Sequence, residues 1–166
     1  MEKYNEIWEI YIESFPENQR RNLENQKKVL KNPLYKFEQI CFEGKLVGFI
    51  GIWDLPNFVF LEHFAVKREF RGQGYGTNIL KKIIQKCSKK IILEVEKPDT
   101  IKAKKRIDFY EKFGFNLNEY DYYQPAYNEN TKPEELYIMS YPSKIDKEEF
   151  TKVRKDLYLT VYGCSI

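Results

Sequence analysis

The sequence predicts an α/β fold: a central mixed, mostly antiparallel sheet flanked by helices, with an extra helix at the C-terminal end. Three observations predict it. Apolar, β-branched runs joined by tight turns fill residues 35–66, the pattern of an antiparallel meander. LEHFAVKREFRGQGYGTNILKKII, Leu61 to Ile84, reads as strand, glycine-rich turn and amphipathic helix. The strand after that helix, Lys90 to Glu96, lies parallel to the one before it, because a helical crossover connects them.

Each element has its own signal. Ile7, Trp8, Tyr11, Ile12 and Phe15 fall at helical spacing from Glu2 to Ser14, and Phe15-Pro16 ends the run. A second, polar helix is expected over Gln19 to Lys31, stopped before Pro33. Tyr35 to Glu43 and Lys45 to Leu55 are strands, with Gly44-Lys45 turning between them. Gly48 and Gly51 mark weak or closely packed points of the second strand. Pro56-Asn57 leads into the strand Phe58 to Val66. Tyr75, Ile79, Leu80, Ile83, Ile84 and Cys87 form the apolar stripe of the next helix, which begins at or near Gly74. Thr100 caps a helix from Ile101 to Phe113, closed by Gly114. Strands follow from Phe115 and from Leu136 to Tyr141. Asp146 and Glu149 offer a capping box for a last helix to Tyr162. No repeat or linker divides the chain, so one domain is expected over 1–166, with 143–166 as a helical extension.

Composition sets limits. A net charge of +3 suits an anionic small ligand and falls far short of a nucleic-acid-binding profile. No run is apolar enough to cross a bilayer, and the opening MEKYNEIWEI is not a secretion signal, so a cytoplasmic protein without membrane contact is expected. Cys41, Cys87 and Cys164 follow neither a metal nor a disulfide pattern, and Cys41 and Cys87 read as buried thiols. No metal is expected. The 13 Tyr and 12 Phe suggest a stiff core and an aromatic-lined cleft.

The glycine turn carries the first chemistry. The opening turn of a helix has backbone N–H groups without internal partners, at the positive end of the helix dipole. Glycine lets a bulky anion approach them, so N–H groups from Gln73 to Thr77 form a phosphate cradle, with Arg71 as a charged donor. The dinucleotide pattern GxGxxG fails, because Thr77 stands where the third glycine belongs. The phosphate-loop pattern fails too, because no Lys-Ser/Thr pair follows Gly76. A nucleotide-binding domain is therefore disfavoured. The spacing R-x-x-G-x-G is met in full by Arg71, Gly74 and Gly76.

With the strand ending at Ala65-Val66 before it and the amphipathic helix after it, this turn resembles the acetyl-CoA-binding motif of the GCN5-related N-acetyltransferases (GNAT). The resemblance implies the GNAT fold. It also implies acetyl-CoA as acyl donor, and transfer to a primary amine of a small molecule or peptide by direct attack on the thioester. Backbone groups of Phe64, Ala65 and Val66 would line up the pantetheine arm and polarise the carbonyl. Arg71, Gly72, Gln73, Gly74, Tyr75, Gly76 and Thr77 would hold the diphosphate.

Tyr110, separated by three residues from Gly114-Phe115, matches the family tyrosine that points at the cofactor sulfur. A phenol with a pKa of ~10 can protonate a leaving thiolate at neutral pH. A core tyrosine is the alternative. Upstream the pattern breaks: Ala103 and Arg106 stand where many members have Asn and Ala, and Lys102 or Arg106 are candidates to take over the lost contact. For the base, Glu94 in LEVE and Glu62 rank together, with Glu96 third, beside a water chain with no single base. Alternation puts Glu62 on the face of Phe64, unless the strand bulge that the resemblance implies intervenes, and His63 on the opposite face; a structural role is favoured for His63. Tyr120, Tyr122, Tyr123, Gln124 and Tyr127, with Trp8, Phe15 and Trp53, are candidates for the acceptor side, by cation–π contact or simply as sheet packing. The last strands and helix offer a surface for a homodimer. The second functional reading is a non-catalytic acyl-CoA-binding or interaction domain.

Overall fold

The structure, a computed structural model, describes residues 2–165, with side chains from residue 5. Met1 and Ile166 lie outside the described residues. The elements are α1 (Glu2–Ser14), a 3-10 turn (Glu17–Gln19), α2 (Leu23–Val29), β1 (Tyr35–Phe42), β2 (Lys45–Asp54), β3 (Phe58–Val66), a 3-10 turn (Arg68–Phe70), α3 (Tyr75–Lys86), β4 (Lys90–Glu96), α4 (Ile101–Glu111), β5 (Asn116–Gln124), β6 (Glu134–Tyr141), α5 (Lys147–Asp156) and a π-helical turn (Leu157–Val161). The strands form one sheet in the order β1-β2-β3-β4-β6-β5. Only β3 and β4 run parallel, as the helical crossover requires. The mixed, mostly antiparallel sheet with its extra C-terminal helix is the fold the sequence predicts.

The two faces of the sheet are covered by different helices. On one, α3 and α4 pack on Ile50, Leu61, Ile91, Leu93, Val95 and Met139, and Leu80 is the fully buried anchor of α3. On the other, α5 and the π-helical turn cover Phe58, Phe60, Ile92, Tyr122 and Ile138. There α1 lays Ile7, Ile10 and Tyr11 on Phe49 and Ala65. Burying each such side chain is worth ~1.5–3 kcal/mol, so both layers hold the sheet firmly.

Two features of β3 prepare the site. First, its pairing with β4 runs only from Phe58↔Lys90 to Leu61↔Leu93, after which the strands part. Second, against β2 the register moves from Ile52↔Leu61 to Ile50↔Phe64, so Glu62 and His63 together oppose Gly51. That is a β-bulge, and a bulge bends its strand. The bend falls where β3 leaves β4. Gly48 permits the tight lie of β2 on the departing arm: a Cβ there would sit 2.3 Å from the Ala65 carbonyl oxygen.

The structure corrects several expectations. The helix expected over Gln19–Lys31 is a 3-10 turn, a short extended stretch and a seven-residue α2. Asn22 caps α2 by accepting the Asn25 N–H at 2.8 Å, which leaves Arg21 outside the helix. The hairpin turn is Glu43-Gly44, both at positive φ, because Lys45 already pairs with Phe42. Cys41, on the outer strand, is exposed rather than buried, and Cys87 is half-buried. At α5 only half of the capping box forms: Asp146 accepts the Glu149 N–H at 2.8 Å, while the Glu149 carboxylate pairs with Lys90. The last helix spans the expected residues, but changes from α-helical to π-helical winding at Leu157.

Candidate active site

The gap between the parted strands is a pocket of about 80 Å³. Glu62, His63 and Phe64 line it from β3, Glu94, Val95 and Glu96 from β4, and Arg106 and Tyr110 from α4. Phe15, Gln19, Gln124 and Tyr127 complete it. A larger groove of about 410 Å³ opens beside it along Phe64, Ala65 and Val66. Phe64 and Tyr110 border both.

The groove is a place for an elongated anion. Beyond the fork, β3 pairs only with β2, so its other edge faces the groove with unspent ladder groups. At the end of the groove α3 begins at Tyr75 with Gly74 as its N-cap, in the left-handed region at φ 84°. Helix geometry leaves the N–H groups of Tyr75, Gly76 and Thr77 without intrahelical acceptors. Gly76 lies in this first turn against Phe64 and Val66, where a Cβ would be 3.6 Å from the Phe64 ring. Gly72 also has positive φ, at 73°, and with Gly74 it gives the turn its shape. Gln73 folds its side-chain amide back to donate to the Glu69 carbonyl at 3.0 Å. Tyr75 packs its ring on Phe42 and Phe70. Arg71 is fixed by its Nε donating to the Val66 carbonyl at 2.9 Å. It lines the groove with Lys102, Lys105 and Arg106, and none of the four forms an ion pair among the described residues. Ala103 is 3% exposed and turned into the core, so that position offers the groove nothing; its neighbours Lys102 and Arg106 border the groove instead.

Tyr110 stands half-buried at the junction of groove and pocket, its ring against Phe109 and Phe115. Burial pushes its phenol up, opposed by Arg106, so it carries its proton at neutral pH.

The two leading carboxylates face each other across the fork on one side of the sheet, in opposite states. Glu62 receives Arg21 Nη2 at 2.7 Å, Trp53 Nε1 at 3.0 Å and the Tyr127 hydroxyl at 3.1 Å. Burial pushes a carboxyl up and is the largest single influence; the Arg21 charge, the His63 ring and the Arg21 hydrogen bond together outweigh it and hold Glu62 well below the usual range. Among the described residues no cation pairs with Glu94. Burial raises it to about 7, against donors from Tyr122 at 2.5 Å, Gln124 at 2.7 Å and Tyr162 at 2.8 Å. Glu96 lies at the mouth, 3.3 Å from Gln19 Nε2, which also reaches Glu134 at 3.0 Å.

Alternation alone would put Glu62 with Phe64 and His63 opposite. The bulge overturns this: Glu62 and His63 share a face, and Phe64 lies on the other, toward Gly76. His63 Nε2 donates to the Gln19 carbonyl at 2.9 Å, and its ring packs on Tyr11 and Phe15. Of the aromatics, Phe15 and Tyr127 reach the pocket directly, while Trp53 and Tyr122 act on its carboxylates. Tyr120 stacks on Phe150, Tyr123 is exposed, and Trp8 packs on Tyr11.

Two residues escape the sequence reading. Arg21 reads as one more exposed helix position, although Asn22 three residues before Asn25 is the signal that the helix starts later. Tyr162 has no local signal, since its contact to Glu94 spans 68 residues.

The chain matches the model of the acetyltransferase (GNAT) family over residues 2–115. A solved structure from Bacteroides thetaiotaomicron assigned to the GNAT family is 33% identical, with a TM-score of 0.92 over 99% of this chain and 94% of that one. A Bacillus subtilis protein assigned as a ribosomal protein bS18-alanine N-acetyltransferase is 25% identical over 114 residues, 69% of this chain and 75% of its own. A Bacillus subtilis subsp. natto protein assigned as a spermine N(1)-acetyltransferase is 31% identical over 120 residues, 61% of this chain and 76% of its own. With the forked sheet, the glycine turn and these likenesses in agreement, the chain belongs to the GNAT acetyltransferase family.

Proposed function

We propose that this protein is an acetyl-CoA-dependent N-acetyltransferase that modifies a primary amine of a small molecule or peptide. One observation carries the reading. A buried carboxyl poised near neutrality and a protonated tyrosine line the same small pocket, at the inner end of a basic groove.

Each part has a task. The α3 N-terminus and the groove cations hold the donor's phosphates. The free edge of Phe64–Val66 aligns the pantetheine arm as an added strand, which brings the thioester to the fork. The acceptor enters as an ammonium and must lose a proton before it can attack. Glu94 is the base: ionised above about pH 7, it takes that proton. The amine lone pair forms the C–N bond, the C–S bond breaks, Tyr110 passes its proton to the departing thiolate, and the second proton shed by the acylated nitrogen restores the Tyr110 phenol. Glu62 is spent on Arg21 and is a fixed negative charge rather than a base. Glu96 and Glu134 at the mouth favour a cationic acceptor, and the pocket admits little more than its amine end.

Calorimetry with acetyl-CoA, joined to thiol release against spermine and an alanine-starting peptide, tests the reading. Binding with turnover of an amine supports it. Binding without turnover across an extended amine panel makes the protein a non-catalytic acyl-CoA-binding domain. Absence of acetyl-CoA binding removes both.

A further inference from the structure

The hydrogen bonds of Glu94 hold a difficulty. Both of its oxygens accept: Oε1 from Tyr122 and Tyr162, Oε2 from Gln124 and Tyr162. Three hydrogens, one each from Tyr122, Gln124 and Tyr162, fill three of its four lone-pair sites, and because the Tyr162 hydroxyl straddles both oxygens, a proton arriving beside it meets that hydrogen unless Tyr162 turns away. Tyr122 is confined in the core at 1% exposure, its hydroxyl 2.5 Å from Oε1. Gln124, an amide, offers Oε2 only N–H. Tyr162 differs. Its hydroxyl spans both oxygens at 2.8 Å, and 3.4 Å away stands the Tyr127 hydroxyl, which lies 3.1 Å from Glu62.

We propose that Tyr162 is the positioning residue of Glu94: its hydroxyl holds the carboxylate in place, then rotates toward Tyr127 when that carboxylate gains a proton. This rests on Glu94 acting as the base. In the ionised state Tyr162 donates to Glu94. After the acceptor's proton reaches a Glu94 oxygen, that O–H donates to the Tyr162 oxygen. Tyr162 donates to Tyr127, and Tyr127 donates to Glu62. One proton has entered the chain and none has left it. Every hydroxyl keeps an acceptor, because the permanent anion at the far end fixes the direction.

The C-terminal segment is built to deliver this hydroxyl. Tyr162 follows directly on the π-helical turn Leu157–Val161, where one surplus residue changes the angle at which the chain arrives. Arg21, already paired with Glu62, also donates from Nη2 to the Val161 carbonyl at 3.2 Å. The same guanidinium thus sets the anion at one end of the relay and ties down the segment at the other. The groups facing Glu94 are Tyr122 and Gln124 from β5, Tyr162 from the terminal turn, and Glu62 and His63 from β3. Tyr127 from the β5–β6 loop, Arg106 and Tyr110 from α4, and Glu96 on its own strand line the same pocket.

The test is titration of the Glu94 carboxyl by carbon-detected NMR on the full chain, for wild type, Tyr162→Phe and Tyr127→Phe. Turnover of spermine and an alanine-starting peptide is measured alongside, with Glu94→Gln included. Removing the donor to the ionised form moves the midpoint upward by about one pH unit in Tyr162→Phe, whereas Tyr127→Phe removes the acceptor that the rotated Tyr162 needs beside protonated Glu94 and moves it downward by less. The acid limb of kcat/KM moves with it, while acetyl-CoA affinity stays unchanged. A merely structural Tyr162 would lower the melting temperature and leave the midpoint where it was, which overturns the inference. Should Tyr162→Phe fail to fold, Tyr127→Phe decides by its downward shift, and an unmoved or raised midpoint there overturns the inference. Loss of turnover in Glu94→Gln with unmoved midpoints in the tyrosine variants overturns the positioning role alone. Full turnover in Glu94→Gln overturns the base assignment, and this inference with it.

Discussion

The two halves of the candidate site are built on opposite plans. The donor half is one continuous piece of chain, Phe64 to Thr77, joined by α4, and it presents backbone N–H groups and unpaired cations. The acceptor half is collected from Arg21, Glu62, Glu94, Gln124, Tyr127 and Tyr162, and works through side chains that hydrogen-bond to one another. A backbone cradle tolerates many side chains and demands a particular turn. A side-chain network demands particular residues and tolerates no missing member, because a buried polar group left without its partner is costly.

The largest effect should separate the halves outright. Arg21→Met leaves Glu62 buried and unpaired, and should cost about 3–5 kcal/mol in urea unfolding. Adding Glu62→Gln should recover much of that loss, because the stranded charge is gone. Glu94→Gln should lower turnover about a hundredfold or more, with acetyl-CoA affinity within twofold of wild type. If affinity falls as far as turnover, the halves are not separable.

The same carboxyl should leave a mark on stability. Glu94 titrates at about 7 when folded against 4.5 unfolded. The folded state therefore holds the proton more tightly, and the stability this contributes is full below pH 4.5 and lost as pH rises through 7. Urea unfolding from pH 5 to 8 should show a fall of roughly 2–3 kcal/mol that Glu94→Gln abolishes. Glu62 acts in the other direction and lower down, its contribution disappearing only as pH drops below the ordinary carboxylate range, so the windows do not overlap.

Smaller effects sharpen the donor half. Tyr110→Phe should reduce turnover about tenfold with donor affinity unchanged, since the lost proton matters only as the thiolate leaves. Gly74→Ala forces a side chain into φ 84° and should weaken acetyl-CoA binding about fivefold, with ~1 kcal/mol off stability.

The contrast also explains what could be read in the residues. The donor half follows local rules: a strand, three glycines and an apolar stripe name each other, and β3, β4 and the start of α3 fall where the pattern puts them. On the acceptor half, Glu94, Gln124 and Tyr127 were legible as candidates, their partners only in part. Arg21 was hidden by a helix that starts four residues later than expected, and Tyr162 by the distance along the chain to its strand. Faces along β3 could not be counted by twos, because the bulge inserts a residue into the alternation.

That inserted residue has a further consequence. Without His63 the order along β3 would be Leu61, Glu62, Phe64, Ala65, Val66, which still alternates as the folded strand does, each side chain keeping its side of the sheet. An in-frame loss of this single codon would thus leave the core pattern intact while straightening the arm, inviting it to zip onto β4 down to Glu96. A closed sheet and an open cleft are thus separated in this strand by one amino acid, the buried His63.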